Sequence, residues 1–291
     1  MNENNSENRM KSKERLQKDI SIHKLREDDF FSMTTLEEAD PQYFQQSHRH
    51  DFYEIIWFTE VESTAKQLLD FNEYTINNQE VYLLTPNQIH KMSPEKKKGY
   101  ALAFAKEFFH SVIGKAHEFS YASSYYKAIV PLEKQLTFKQ LFQMIEYEYN
   151  NKKRRTLLKY YYGALLIHLE ELLAIENYKK PEPEATGKIL YLIEQHFKEE
   201  KAIGFYSQQM TLSPWRLNSL LKKSTGKTLK QHLIQRTVLE AKRLLLAEDI
   251  LIKELAYSLG YLDVPYFVNI FKQFTGLSPN QFRIVHMDQH N

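Results

Sequence analysis

The sequence predicts an α+β multidomain protein: an antiparallel β-barrel followed by helices, then an all-α domain carrying two helix-turn-helix units. Three observations predict it. Between residues 52 and 105 lie the runs FYEIIWFTEV, KQLLDFNEYTI, EVYLLTP and GYALAFA, rich in aromatic and β-branched residues and separated by turn-forming Asn, Gln, Pro and Gly. From about 132 to 176 the apolar spacing becomes helical, with Leu136, Phe138, Leu141, Phe142 and Ile145, then Leu157, Leu158, Tyr161, Leu165, Leu169, Leu172 and Leu173. Beyond NYKKPEPEATG, one arrangement of helix, turn and capped helix occurs twice.

A chain of 291 residues has room for two domains of ordinary size. Residues 1–30 are polar and charged and read as a tail, 31–130 as the β module, 131–176 as a helical region, 177–187 as a linker and 188–291 as the C-terminal domain. Cysteine is absent, which excludes disulfide scaffolds and thiolate chemistry. The opening MNENNSENRMKSKERLQKDI lacks the apolar centre of a secretory leader, and GALLIHLEELLAI is broken by His168, Glu170 and Glu171, so a cytoplasmic protein with no membrane partner is expected. The overall charge of +2 is unevenly placed: residues 187–291 hold 14 Lys/Arg against 9 Asp/Glu, leaving the rest of the chain net acidic. A basic C-terminal part suits a polyanionic partner.

In the first repeat, FYSQQMTLSPWRLNSLLKKSTG, a turn at Thr211-Leu212 precedes Ser213, which caps a helix with Pro214 at its first position. In the second, IKELAYSLGYLDVPYFVNIFKQFTG, Gly260 makes the turn and Asp263 caps. Gly226 and Gly276 stand where C-cap glycines belong. Helical spacing puts Leu217, Leu220, Leu221 and Ser224 on the buried stripe of the first capped helix, leaving Trp215, Arg216, Asn218, Ser219, Lys222 and Lys223 outside. In the second, Phe267, Ile270, Phe271 and Phe274 are expected inside, with Val264, Pro265, Val268, Asn269, Lys272 and Gln273 outside. Such faces either pack on a neighbour or enter a major groove, where Arg pairs with guanine, Asn with adenine, and apolar groups meet the thymine methyl. Lys222, Lys223, Lys227 and Lys272, near the helix ends, are placed for phosphates.

The C-terminal hundred residues resemble the DNA-binding domain of AraC-type bacterial transcription regulators. SPWRLNSLLKKSTGKT, RTVLEAKRLLL and IKELAYSLGYLDVPYFVNIFKQFTGLSPNQFR carry the resemblance, through Ala256 and Gly260, Tyr266-Phe267, Phe271-Lys272, Gly276, Ser278-Pro279 and Arg283. It implies two helix-turn-helix units held by a linking helix at 228–246, with Trp215, Asn218 and Ser219 reading bases in one groove and Val264, Pro265 and Asn269 in the next. Arg216 is added from the helical wheel. The family often has Arg where this chain has Asn269, and Ala where it has Ser207.

In QQSHRHDFYEIIWFTE, a strand over 48–58 would put His48, His50, Phe52, Glu54, Ile56 and Phe58 on one face and Tyr53, Ile55 and Trp57 on the other, with His90 arriving from TPNQIH. Two imidazoles and a carboxylate on one face, joined by another imidazole, suit zinc, iron or manganese. The segment resembles both the cupin metal site and the cupin-like effector domain of AraC-type regulators. The second resemblance is preferred, because no Gly follows Pro86 and no Asn trails His90 at the usual spacing. His48, His50, Phe52, Glu54, Ile56 and His90 are accordingly expected to line an effector pocket or bond internally, with no metal and no cofactor. The helical region, with Leu158, Tyr161, Tyr162, Leu165, Leu166, Leu169 and Leu173, is expected to dimerise.

The expected function is a sequence-specific transcription regulator, an activator in preference to a repressor, and not an enzyme. Its expected partners are double-stranded promoter DNA, a small-molecule or protein effector, a second copy of the chain, and RNA polymerase. The alternative is a metal-dependent cupin enzyme with an accessory helical domain.

Overall fold

The computed structural model describes residues 20–25, 29–113, 126–176 and 184–290. Among the described residues, ten strands form two sheets: β1 (Ser21–His23), β2 (Phe31–Thr35), β3 (His48–His50), β4 (Tyr53–Val61), β5 (Lys66–Leu69), β6 (Asn72–Thr75), β7 (Glu80–Leu84), β8 (His90–Met92), β9 (Lys97–Phe104) and β10 (Tyr126–Ile129). One sheet runs β1-β3-β8-β5-β6 and the other β10-β7-β4-β9-β2. All pairings are antiparallel except β1 with β3. Strand alternation decides what each face buries. Ile56, Phe58, Tyr82, Leu84 and Ala101 meet Leu69 and Met92 in one apolar cluster, together with Phe44 of a short helix α1 (Pro41–Gln45). Tyr53, Ile55, Trp57, Val81, Leu83 and Leu102 belong to a second cluster with helices α2 (Lys106–Ile113), α3 (Leu132–Asn150) and α4 (Arg155–Glu176).

Three boundaries differ from expectation. The single strand over 48–58 is two strands in different sheets, because the chain turns a corner at Asp51 and Phe52. The tail expected over 1–30 contains β1, whose three residues are too few for a periodic signal, and Ile20 before it is buried against the helical domain. Residues 1–19 and 26–28 lie outside the described residues. The linker expected over 177–187 is shorter at its end, since helix α5 (Glu184–His196) has begun by Glu184; 177–183 lie outside the described residues.

Leu158, Tyr162, Leu165, Leu166 and Leu169, expected to serve a partner copy, are buried against the barrel instead. A strongly apolar sheet face needs a cover, and α4 supplies it together with α2 and α3. The exposed apolar side chains of this region are others: Leu132, Leu136, Met144 and Tyr147 on α3, with Tyr160 and Ile167 on α4.

The C-terminal domain adds α6 (Ile203–Met210), α7 (Pro214–Thr225), α8 (Leu229–Ala247), α9 (Ile252–Ser258), α10 (Val264–Thr275) and α11 (Pro279–His290). The long helix α8 is central: Leu233, Ala241 and Leu245 are buried in the cluster that gathers Leu217 and Leu221 of α7 with Phe267 and Phe271 of α10. Arg236 of α8 forks onto Glu194 of α5 at 2.6 and 2.8 Å and donates to Glu240 at 2.9 Å, joining α5 and α8 by a buried ionic network. No helix among the described residues is long and apolar enough to cross a membrane.

The barrel and the helical domain meet along α8. Arg243, buried, donates from Nε and Nη2 to the two carboxylate oxygens of Asp70 at 2.8 and 2.9 Å. Arg49 of β3 reaches Glu248, just past α8, at 2.7 Å. Ile89 and Ile20 are buried in the helical domain's own cluster, and Phe71 packs edge-on to Phe282 at 5.4 Å.

Candidate nucleic-acid interface and effector pocket

Each helix-turn-helix unit is built by local chemistry that fixes the entry of its second helix. Thr211 adopts a left-handed φ of 53° at the first turn, and Ser213 Oγ accepts the Arg216 N–H at 3.3 Å. At the second turn Gly260 has φ 79°, and a Cβ there would sit 1.8 Å from the Lys198 carbonyl oxygen, so glycine is required twice over. Asp263 Oδ1 accepts the Tyr266 N–H at 3.0 Å, with Pro265 in the first turn where no partner for its missing N–H is needed. Both helices end on left-handed glycines, Gly226 at φ 74° and Gly276 at φ 77°. A cleft of about 830 Å³ lies between the units, with Asn218 and Lys230 on one side and Asp263 and Tyr266 on the other.

On α7, Trp215 (79 % exposed), Arg216, Ser219, Lys222 and Lys223 face outward. Asn218 does not project freely: it is half-buried, and its Oδ1 accepts the N–H of Leu229, the first residue of α8, at 3.0 Å. The first N–H groups of a helix lack intrahelical acceptors, so Asn218 ties α7 to the start of α8. On α10, Pro265, Asn269, Lys272 and Gln273 are exposed. Val264 and Val268, expected to be exposed, are half-buried and pack on the domain's apolar cluster, while Phe274, expected inside, is 44 % exposed. The physical reason is a rotated stripe: Phe267, Ile270 and Phe271 point at α8, and the valines lie at its margin instead of opposite it. The exposed Leu262 and Tyr266 beside them escape the sequence reading, because a wheel drawn on α10 alone cannot show which turn residues stand proud.

In the barrel, a cavity of about 920 Å³ opens between β1, β2 and α1. Of the six expected pocket residues, Phe52 and Glu54 line it, while His48, His50 and His90 are fully buried and are not among its lining residues; Ile56 belongs to the apolar interior. His23 and Tyr43 also line it, and His23 lies in the expected tail, where no signal marks it.

The polar cluster has a specific internal order. His48 Nδ1 lies 2.9 Å from the Gln46 carbonyl and His50 Nδ1 lies 2.7 Å from the Phe52 carbonyl, so each Nδ1 donates to a backbone oxygen and each Nε2 is turned toward the interior of the cluster. The Nε2 atoms of His48, His50 and His90 and Oε2 of Glu54 are buried without a hydrogen-bond partner. His50 Nε2 stands 3.5 Å and His90 Nε2 3.8 Å from Glu54 Oε2. Burial pushes the His48 imidazole down to about 4, and burial with the neighbouring His48 and His50 pushes His90 well below the ordinary histidine range. Among the described residues, the group of side chains spaced for one metal ion is His50, Glu54 and His90; His48 stands beside it, its ring 4.1 Å from that of His90. Two imidazoles and a carboxyl group are a donor set that fits a divalent transition ion.

These observations define a tandem helix-turn-helix domain joined to an antiparallel β-barrel. Residues 206–284 match the family model described as a helix-turn-helix domain. The chain is 31% identical over 107 residues to the bifunctional transcriptional activator/DNA repair enzyme AdaA of Bacillus subtilis (strain 168), covering 37% of this chain and 51% of that protein. It is 30% identical over 97 residues to the HTH-type transcriptional activator RhaS of Salmonella schwarzengrund, covering 33% of this chain and 35% of RhaS. The match thus spans about half the length of the first relative and about a third of the second. Among solved structures, ToxT of Vibrio cholerae is a remote likeness at 14% identity and a TM-score of 0.43, covering 88% of this chain and 97% of that one. The C-terminal domain of the response regulator AraT of Geobacillus stearothermophilus matches at 27% identity and a TM-score of 0.36, covering 37% of this chain and 90% of that one.

Proposed function

We propose that the protein is a sequence-specific DNA-binding transcription regulator, acting as an activator in the cytoplasm. The observation that carries this is the pair of capped helices α7 and α10, fixed to one helix α8 and each presenting an exposed polar face: Arg216, Ser219, Lys222 and Lys223 on one, Pro265, Asn269 and Lys272 on the other. Two such helices entering successive major grooves would read sites spaced about 10 bp apart. The names of the matched relatives, both transcriptional activators, support the same reading. Trp215, Arg216, Ser219 and Asn269 are the base-reading candidates, and Lys222, Lys223 and Lys272 the phosphate contacts.

In this reading the barrel is the sensing part, controlled by an effector at its cavity, and a second copy pairs through the apolar residues still exposed on α3, Leu132 and Leu136 among them. RNA polymerase would be a further partner. The relatives give the alternative of a metal-dependent enzyme no support. Selection of bound fragments from genomic DNA tests the reading. A recurrent motif with half-sites about one helical turn apart is expected, together with a change of base preference in Arg216→Ala and a sequence-independent loss with a shallower salt dependence in Lys222→Ala. Binding without any preferred sequence would overturn it.

A further inference from the structure

We propose that His50, Glu54 and His90 bind a divalent first-row transition metal ion, and that its occupancy is coupled to the docking of the barrel on the helical domain. The proposal rests on the sensing role assigned above to the barrel.

The donor atoms are already arranged for an ion. His50 Nε2 and Glu54 Oε2 are 3.5 Å apart, and His90 Nε2 and Glu54 Oε2 are 3.8 Å apart. The three ligand atoms all lie within 4.8 Å of one another; donors about 2.1 Å from a shared metal stand roughly 3.0–3.4 Å apart, so the two separations to Glu54 need to shorten by only about half an ångström or less. The backbone carbonyl of Phe52 accepts from His50 Nδ1 and so turns Nε2 toward the carboxylate. Orientation of the far ring nitrogen by a carbonyl is how a ligating histidine is held before the metal arrives. A satisfied core histidine would use both nitrogens, whereas here the Nε2 atoms of His50 and His90 and Oε2 of Glu54 are buried together without a hydrogen-bond partner. Buried polar atoms left unpaired are costly, and one ion bound among them would satisfy all three at once.

The same strands carry the contacts to the other domain on their opposite faces. Along β3, His48 and His50 point inward and the alternate residue, Arg49, reaches Glu248 at 2.7 Å. His90 pairs in register with Leu69; Ile89 precedes the one and Asp70 follows the other, and both belong to the domain contact. Asp70 Oδ1 accepts the Ile89 N–H at 3.2 Å, while the Asp70 N–H donates to the Ile89 carbonyl at 2.6 Å. That same carboxylate receives the Arg243 fork, and Ile89 is buried in the helical domain's cluster. Drawing His50 and His90 together therefore shifts Arg49, Ile89 and Asp70 as a unit. The docked arrangement already holds the donors near bonding separation, so the metal favours docking and docking favours the metal, by the reciprocity of linked equilibria.

Purified full-length protein, stripped with a chelator, is titrated with Co²⁺, whose visible bands report nitrogen and oxygen ligation, with Zn²⁺ as competitor. One ion per chain is expected, with at least a tenfold loss of affinity in Glu54→Gln, which preserves volume. Arg243→Met removes the fork on Asp70 and leaves all three ligand side chains in place. It is expected to weaken Co²⁺ about fivefold or more, since typical couplings span about 5- to 150-fold. No stoichiometric ion in the stripped wild-type protein overturns the proposal and leaves a buried His50–Glu54 pair. An ion that binds wild type and Arg243→Met equally overturns the coupling. Both readouts are independent of DNA, so a protein that binds metal in this way yet selects no DNA sequence would refute the regulator reading alone.

Discussion

Replacing Asn218 by Ala separates two roles that its position allows. A base-reading asparagine would lose discrimination for adenine, worth about 1–3 kcal/mol, with little effect on folding. The geometry assigns it the other role: Asn218 Oδ1 is the acceptor for the Leu229 N–H at 3.0 Å, half-buried where α7 meets the start of α8. Removing the acceptor from a helix N-terminus costs about 0.5–2 kcal/mol, and part-exposure of the site places it near 1. For a domain of about a hundred residues, that lowers the melting temperature by roughly 4–8 °C. A domain with about 5 kcal/mol or more of stability would remain almost wholly folded at 25 °C after such a loss, so affinity for a preferred site should change by less than about twofold. Thermal melting, paired with binding to the preferred site and to single-base variants, reads both quantities. A melting temperature unchanged within about 1 °C together with relaxed preference at one base pair would refute the structural role.

Three further substitutions probe the scaffold. Gly260→Ala places a Cβ 1.8 Å from the Lys198 carbonyl oxygen on a residue at φ 79°, so a loss on the order of 3 kcal/mol and a melting temperature lower by roughly 10 °C or more are expected. Val268→Ala should cost on the order of 1 kcal/mol in denaturant unfolding and leave base preference unchanged, since the side chain packs on the apolar cluster. His232, 2.7 Å from Thr225 Oγ1, is pushed down to about 4 by burial and by Lys227. Its folded pKa lies below its unfolded one, so its contribution is whole above about pH 6.5 and is lost as pH falls toward 4. The stability gap between wild type and His232→Gln should accordingly narrow between about pH 7 and pH 4.5.

Local chemistry was the most legible part of the sequence. Ser213, Asp263, Gly226, Gly260 and Gly276 each signal a turn or cap through one side chain or its absence, and all five stand in those roles. The parity of the barrel residues was also legible: Ile56 and Phe58 share one cluster while Tyr53, Ile55 and Trp57 share another, as alternation requires. Less was legible where a residue's environment comes from distant chain. Val264 and Phe274 exchange their expected exposure because the direction of α8 sets the stripe of α10, and the sequence of α10 does not contain that direction.

The least legible residues were those that join the two domains, and the reason is physical. A strand reads as hydrophobic on one face and polar on the other, so Arg49 between two histidines and Asp70 at the end of β5 pass as ordinary solvent-facing charges. Both become informative only once the helical domain covers them: Arg49 is 3 % exposed and Asp70 is 7 % exposed. A charge buried on the outer face of a barrel strand implies a partner with the opposite charge, because desolvating it alone costs several kcal/mol. The partner of Asp70 is 173 residues away in Arg243, on a helix whose pattern looks complete without it. Charged residues at outward strand positions flanking inward polar clusters are thus the places where a domain contact is written: Arg49 directly precedes His50 of the candidate metal site, and Asp70 follows Leu69, the cross-strand partner of His90.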